Sequence, residues 1–239
     1  WYLAANATAA LIAFIFYYPK VRLRFMPKLY IRRWIDAVSV AGAETLFYVQ
    51  SELDKVLVLA FGGAEVAGIY AIIMRLVDLT ALPVRSFFTL LTQRLMRGPQ
   101  LLDSLKIRIG LEALVAGVSV AGLLALVAVL AVFPNALGRN VGEATPLLIL
   151  VLAVPALRNL LEYHSELLYA TGRTVIRTVV LAMIGAVKAG LLALLLMEGL
   201  KTESWVTMIN LVFLALYLVS AVMTYRALAH RNGEKRRVI

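Results

Sequence analysis

Seven long apolar stretches run through this chain, and four of them carry charged residues at bilayer depth. A span needs about 20 predominantly apolar residues. The stretches fall at residues 1–18, 38–61, 66–92, 111–133, 145–169, 175–197 and 204–225. A charged side chain at the centre of a bilayer costs about 2.5 kcal/mol or more, so such residues face a bundle interior or a water-filled path. The pattern predicts an all-α polytopic membrane protein of about seven transmembrane helices, with a polar cavity. A polar cavity in turn points to transport.

Composition narrows the alternatives. Hydrophobic residues make up 62% of the 239 positions, and mean hydropathy is +0.87. No extended polar region is left for a second kind of domain. The chain has no Cys, which excludes disulfides and thiolate chemistry, and His164 and His230 alone cannot build a His-rich metal site. No cofactor and no metal site is implied. The net charge of +10 is concentrated in loops. In a membrane protein it concerns topology and contact with anionic lipids, not nucleic acid. No signal-peptide pattern opens the chain, which begins at Trp1 inside an apolar run. From this we expect an N-terminal part to be missing.

Basic residues orient the spans. Lys20, Arg22, Arg24, Lys28, Arg32 and Arg33 crowd the first connection, and the second, between Phe61 and Val66, has none. Arg94, Arg97, Lys106 and Arg108 fill the third, Arg139 stands alone in the fourth, Arg173 and Arg177 mark the fifth, and Lys201 is alone in the sixth. Arg226, Arg231, Lys235, Arg236 and Arg237 end the chain. The alternation places the first, third and fifth connections and the C-terminus in the cytoplasm. The expected organisation has four parts: a helix at 1–18, a basic cytoplasmic linker at 19–37 containing Pro19 and Pro27, a six-helix lobe at 38–225, and a basic cytoplasmic tail at 226–239.

Residues three and four apart share a helix face. Glu44, Tyr48, Ser51 and Lys55 form one stripe, with Asp54 beside it. Arg75, Asp78, Arg85, Thr89 and Thr92 form a second, and Arg158, Glu162, Ser165 and Tyr169 a third. Lys188 adds a charge to the sixth span, and Thr207, Asn210, Tyr217 and Thr224 line the seventh. The fourth span instead offers small residues, Ala116, Gly117, Ser119, Ala121 and Gly122, for close helix packing. Pro83 offers a kink, and with Pro155 it frees backbone groups that a cavity or its waters can satisfy. Arg75, Arg85, Arg158 and Lys188 are the candidate anion-binding residues. Asp54, Asp78, Glu44 and Glu162 are candidates for ion coupling or charge pairing. The competing expectation is local pairing, Arg75 with Asp78 and Arg158 with Glu162, and Lys188 with Asp54 across helices. Glu166 and His164 lie near the inner end of their span. Five intramembrane bases (Lys55, Arg75, Arg85, Arg158, Lys188) face six acids (Glu44, Glu52, Asp54, Asp78, Glu162, Glu166), so this part alone is not an electropositive funnel.

The stretch from Tyr48 to Leu95 carries Asp54-Lys55, then Gly62-Gly63, then Gly68-Ile69-Tyr70, then Arg75-Leu76, Pro83 and Gln93-Arg94-Leu95. It resembles the polysaccharide-transporter (Wzx-like) flippases of the multidrug/oligosaccharidyl-lipid/polysaccharide exporter superfamily. That family's seventh helix carries an acidic residue followed by a basic one, then a short Gly-containing loop and a Gly-x-Tyr opening the eighth. Ala170-Thr171-Gly172-Arg173 resembles the turn after its tenth helix. The resemblance implies the last helix of an N-terminal lobe followed by the C-terminal six-helix lobe. It implies a flippase in the bacterial inner membrane, moving undecaprenyl-pyrophosphate-linked oligosaccharide by alternating access for surface polysaccharide such as O-antigen, lipopolysaccharide or exopolysaccharide. The implied partners are the lipid-linked oligosaccharide, anionic membrane lipids, the missing N-terminal lobe and a polysaccharide polymerase.

Other classes fit less well. A multidrug or lipid II exporter of the same superfamily is the near alternative. A seven-helix receptor or retinal protein shares the topology, but residues 204–225 hold no Lys for a Schiff base. The chain lacks a His-Glu-x-x-His pair, a paired-Asp metal motif and a Gly-x-Ser-x-Gly elbow, so we do not expect an enzyme.

Overall fold

A computed structural model describes residues 2–17, 27–98, 104–134, 136–198 and 202–237. Lys20, Arg22, Arg24 and Lys201 lie outside the described residues, as do the side chains of Lys28, Arg32, Ser51, Arg139, Arg231, Lys235, Arg236 and Arg237. Seven helices are assigned: α1 Tyr2–Tyr17, α2 Pro27–Arg97, α3 Leu105–Val132, α4 Arg139–Leu150, α5 Val154–Ala170, α6 Thr174–Met197 and α7 Thr202–Arg237. No strand occurs among the described residues. Two compact units divide the chain, Trp1–Ala37 and Val38–Ile239. The first holds α1 and the start of α2. The second holds everything described below.

α2 is continuous by hydrogen bonding but reverses at Gly63, whose φ of 78° and ψ of 177° are not helical. Tyr70 proves the reversal. Sixteen residues separate it from Asp54, about 24 Å along a straight helix, yet its hydroxyl donates to Asp54 Oδ2 at 2.9 Å. Only glycine enters that backbone region freely. Its neighbour Gly62 is needed for space, since a Cβ there would sit 2.8 Å from Val66 Cγ1. The turn therefore falls in the Gly62-Gly63 connection, while the backbone stays helical through Pro83.

The stretch at 145–169 is not one helix. Ala144–Leu150 and Val154–Ala170 meet at 64°. Pro155 lies in the first turn of α5; lacking an N–H and crowding the preceding carbonyl, it starts a helix and stops the one before. Asn210 of α7 satisfies the opened backbone. Its Nδ2 donates to the Leu150 carbonyl at 2.5 Å, and its Oδ1 accepts from Ala153 N–H at 3.3 Å. A side chain, rather than a cavity, meets this break. α5 then closes at Gly172 (φ 75°). There Arg173 N–H bonds the Leu168 carbonyl and Gly172 N–H the Tyr169 carbonyl, at 2.8 and 2.9 Å. This is the paired Schellman arrangement that caps free carbonyls.

Among the described residues four helices are long and apolar enough to cross a membrane, and the bent α4–α5 pair makes up to five. α2 counts once in that figure, although its two arms run back along each other. The protein is an all-α polytopic membrane protein. Its burial pattern fits lipid as the outer solvent: Leu194, Leu90 and Leu211 are 65%, 62% and 57% exposed, whereas Asp54, Arg177 and Lys188 are buried. Gly122 of α3 approaches Thr80 of α2 with 3.4 Å left for a Cβ, the close packing expected of that span, while Gly117 faces open space. The apolar core joins both arms of α2 to α3, α5, α6 and α7 through residues such as Ile73, Leu123, Leu168, Ile184 and Phe213.

Candidate functional site

A cavity of about 490 Å³ lies between both arms of α2 and helices α5, α6 and α7. Five carboxylates line it, Glu44, Glu52, Asp54, Asp78 and Glu162, together with four bases, Lys55, Arg85, Arg158 and Lys188. Seven of the eight expected site residues therefore meet in one place.

Arg75 does not. It is exposed, makes no described ion pair or hydrogen bond, and is absent from the cavity wall. Helical rotation explains this. Asp78, Arg85 and Thr92 recur every seven residues, nearly two full turns, and point inward. Ten residues separate Arg75 from Arg85, which leaves it about 80° around the helix. The expectation that Arg75 shares their face is corrected, and with it the idea that the two arginines act at successive depths.

Charge pairing runs between helices. Arg158 Nη2 lies 2.5 Å from Asp78 Oδ1, and Arg85 Nε donates to Glu162 Oε1 at 3.1 Å. The local pairs expected from spacing, Arg75–Asp78 and Arg158–Glu162, are not formed. Lys188 does meet Asp54: its Nζ donates to Oδ2, the atom that also receives the Tyr70 hydroxyl. Phe213 presents its ring 5.5 Å from the same ammonium, adding a cation–π contact. Lys55 pairs with Glu52 at 2.8 Å on an exposed rim.

Sequence reasoning missed Arg177, which it used only to orient the chain. Arg177 is 6% exposed. Its Nη2 donates to Glu44 at 2.8 Å and lies 3.6 Å from Glu166, while its Nε donates to Ser165 Oγ at 2.8 Å. Tyr169 covers the guanidinium at 5.3 Å, and Glu166 also accepts from Thr92 at 3.1 Å. One arginine therefore ties α6 to α5 and to the first arm of α2. The stripe Glu162-Ser165-Tyr169 pointed toward this residue; its position beside a loop concealed it.

Three polar atoms at the cavity find no hydrogen-bond partner among the described residues: Asp54 Oδ1, Gln50 Oε1 and Arg158 Nη1. Two accept and one donates. At Arg85 the described bonds use Nε alone, leaving the terminal nitrogens able to donate. No protein-family model, curated protein or solved structure matches this chain.

Proposed function

We propose that this chain is part of a flippase that moves an undecaprenyl-pyrophosphate-linked oligosaccharide across the bacterial inner membrane by alternating access. The observation that carries this reading is a charged cavity inside an apolar helical bundle, with free hydrogen-bonding atoms of both kinds. A hydroxyl both donates and accepts, so sugar hydroxyls match Asp54 Oδ1, Gln50 Oε1 and Arg158 Nη1 together. Arg85, with its side chain 41% exposed, is the guanidinium best placed to take a pyrophosphate oxygen pair. The resemblance of the Asp54-to-Tyr70 stretch to flippases supports the same substrate class. Binding near the repeat interface and rocking of two lobes is how such carriers alternate access.

A second reading, export of hydrophobic cations, draws on Phe47, Tyr48 and Phe213 in the wall and on the slight excess of carboxylates. The test is binding in lipid nanodiscs of two probes, a long-chain alkyl pyrophosphate saccharide and a lipophilic quaternary ammonium. The flippase reading expects saturable binding of the first, weakened in Arg85→Ala. Binding of the ammonium alone establishes the second reading, and binding of neither removes both.

A further inference from the structure

Outside the cavity, α3, α5 and α7 enclose a second polar cluster. His164 of α5 is fully buried. Its Nε2 lies 3.2 Å from Glu112 Oε1 of α3, and its Nδ1 lies 3.0 Å from Ser220 Oγ of α7. Glu112 also accepts from the Tyr217 hydroxyl at 2.9 Å and from the Tyr225 hydroxyl. Tyr217 stacks on the imidazole at 5.6 Å, and Tyr225 meets it edge-on at 5.5 Å. The other titratable or charged groups facing it are Tyr163 on its own helix, ring to ring at 5.8 Å, and Arg108 of α3, 5.7 Å from the Tyr225 ring. α2 reaches this cluster through Phe88, which packs on Tyr163.

The donors and acceptors can be counted. An ionised carboxylate only accepts, so Glu112 requires a hydrogen on His164 Nε2. Nδ1 of the neutral ring then accepts from the Ser220 hydroxyl. A second proton can enter at Nδ1 without breaking this pattern, because Ser220 accepts as readily as it donates. The single bond that changes is Ser220 O–H···Nδ1, which becomes Nδ1–H···Oγ. The imidazolium then faces the Glu112 carboxylate as a charge-assisted pair, and the two tyrosine hydroxyls keep that carboxylate in place. A histidine held only for packing needs neither an ionised neighbour nor a hydroxyl of reversible sense.

We propose that His164 and Glu112 form a proton-binding site in the bundle, separate from the cavity. It takes up one proton at His164 Nδ1 while every hydrogen bond of the cluster is retained. Proton uptake strengthens the tie between α3 and α5 and leaves the cavity pairs untouched. The site does not depend on what the cavity carries.

The test is ¹⁵N NMR of histidine-labelled protein in nanodiscs, where His164 and His230 are the two histidines of the chain and His230→Gln leaves one signal set. At alkaline pH the His164 nitrogens should be unlike, one protonated and one bare. On acidification both should become protonated with the fold intact. Glu112→Gln should weaken proton binding about tenfold or more, the usual effect of losing an adjacent opposite charge. Tyr217→Phe, which keeps the charge but removes one of its donors, should strengthen it severalfold. A ring that stays neutral throughout in folded wild-type protein overturns the proposal without recourse to any variant. Titration unchanged in both variants overturns it as well.

Discussion

The cavity and the His164 cluster use similar side chains in opposite ways. In the cavity two arginines each have one carboxylate on another helix, Arg158–Asp78 and Arg85–Glu162, and at least one side of each of these two pairs reaches open space. Around His164 a single carboxylate serves three donors, and the ring is enclosed on all sides. Half-open ion pairs can exchange one partner for a ligand, because the replacement arrives before the charge is stranded. A closed network can change only by moving a proton within it. Two polar regions in one bundle are thus suited to different tasks by solvent access rather than by residue type.

Breaking the most buried cavity pair should give the largest effect. Lys188→Ala strands Asp54, which is 3% exposed, and uncompensated buried charges cost about 3–5 kcal/mol. Thermal unfolding in detergent should show this loss, and the double variant Asp54→Leu/Lys188→Met should recover most of it. If the double variant also restores transport, the pair is a brace and the contrast with the closed cluster disappears.

A smaller effect is expected inside the closed cluster. Tyr225→Phe removes a donor to the Glu112 carboxylate, and a hydrogen bond to a charged group contributes about 1.5–3 kcal/mol. The same melting assay should detect this, with transport unaffected at permissive temperature. Loss of transport with no change in stability would place the cluster in the transport path and merge the two regions.

The smallest change in stability belongs to the open rim. Arg85→Ala should alter stability by at most about 1 kcal/mol, because its ion pair is half-exposed, yet under the proposed flippase function it should abolish export of the lipid-linked oligosaccharide. Lys55→Ala, at the still more exposed pair with Glu52, should change neither. Equal export by both variants would leave Arg85 with no role beyond that of a rim charge.

Much of this was legible in the sequence. Apolar length gave most of the helices, though not the break inside 145–169, and helical spacing put Asp78 with Arg85 and Arg158 with Glu162 on common faces. The Gly62-Gly63 connection marked the reversal of α2, because a positive φ needs glycine whatever surrounds it. The tertiary structure decided which charge meets which. Asp54 finds Lys188 across 134 residues and Arg177 finds Glu44 across 133. Glu112, at the edge of an otherwise apolar span, gave no sign of its three donors. Spacing fixes a side chain's angle around its own helix to within tens of degrees. A hydrogen bond requires a separation of about 3 Å, and that is set by how two helices approach and rotate against each other.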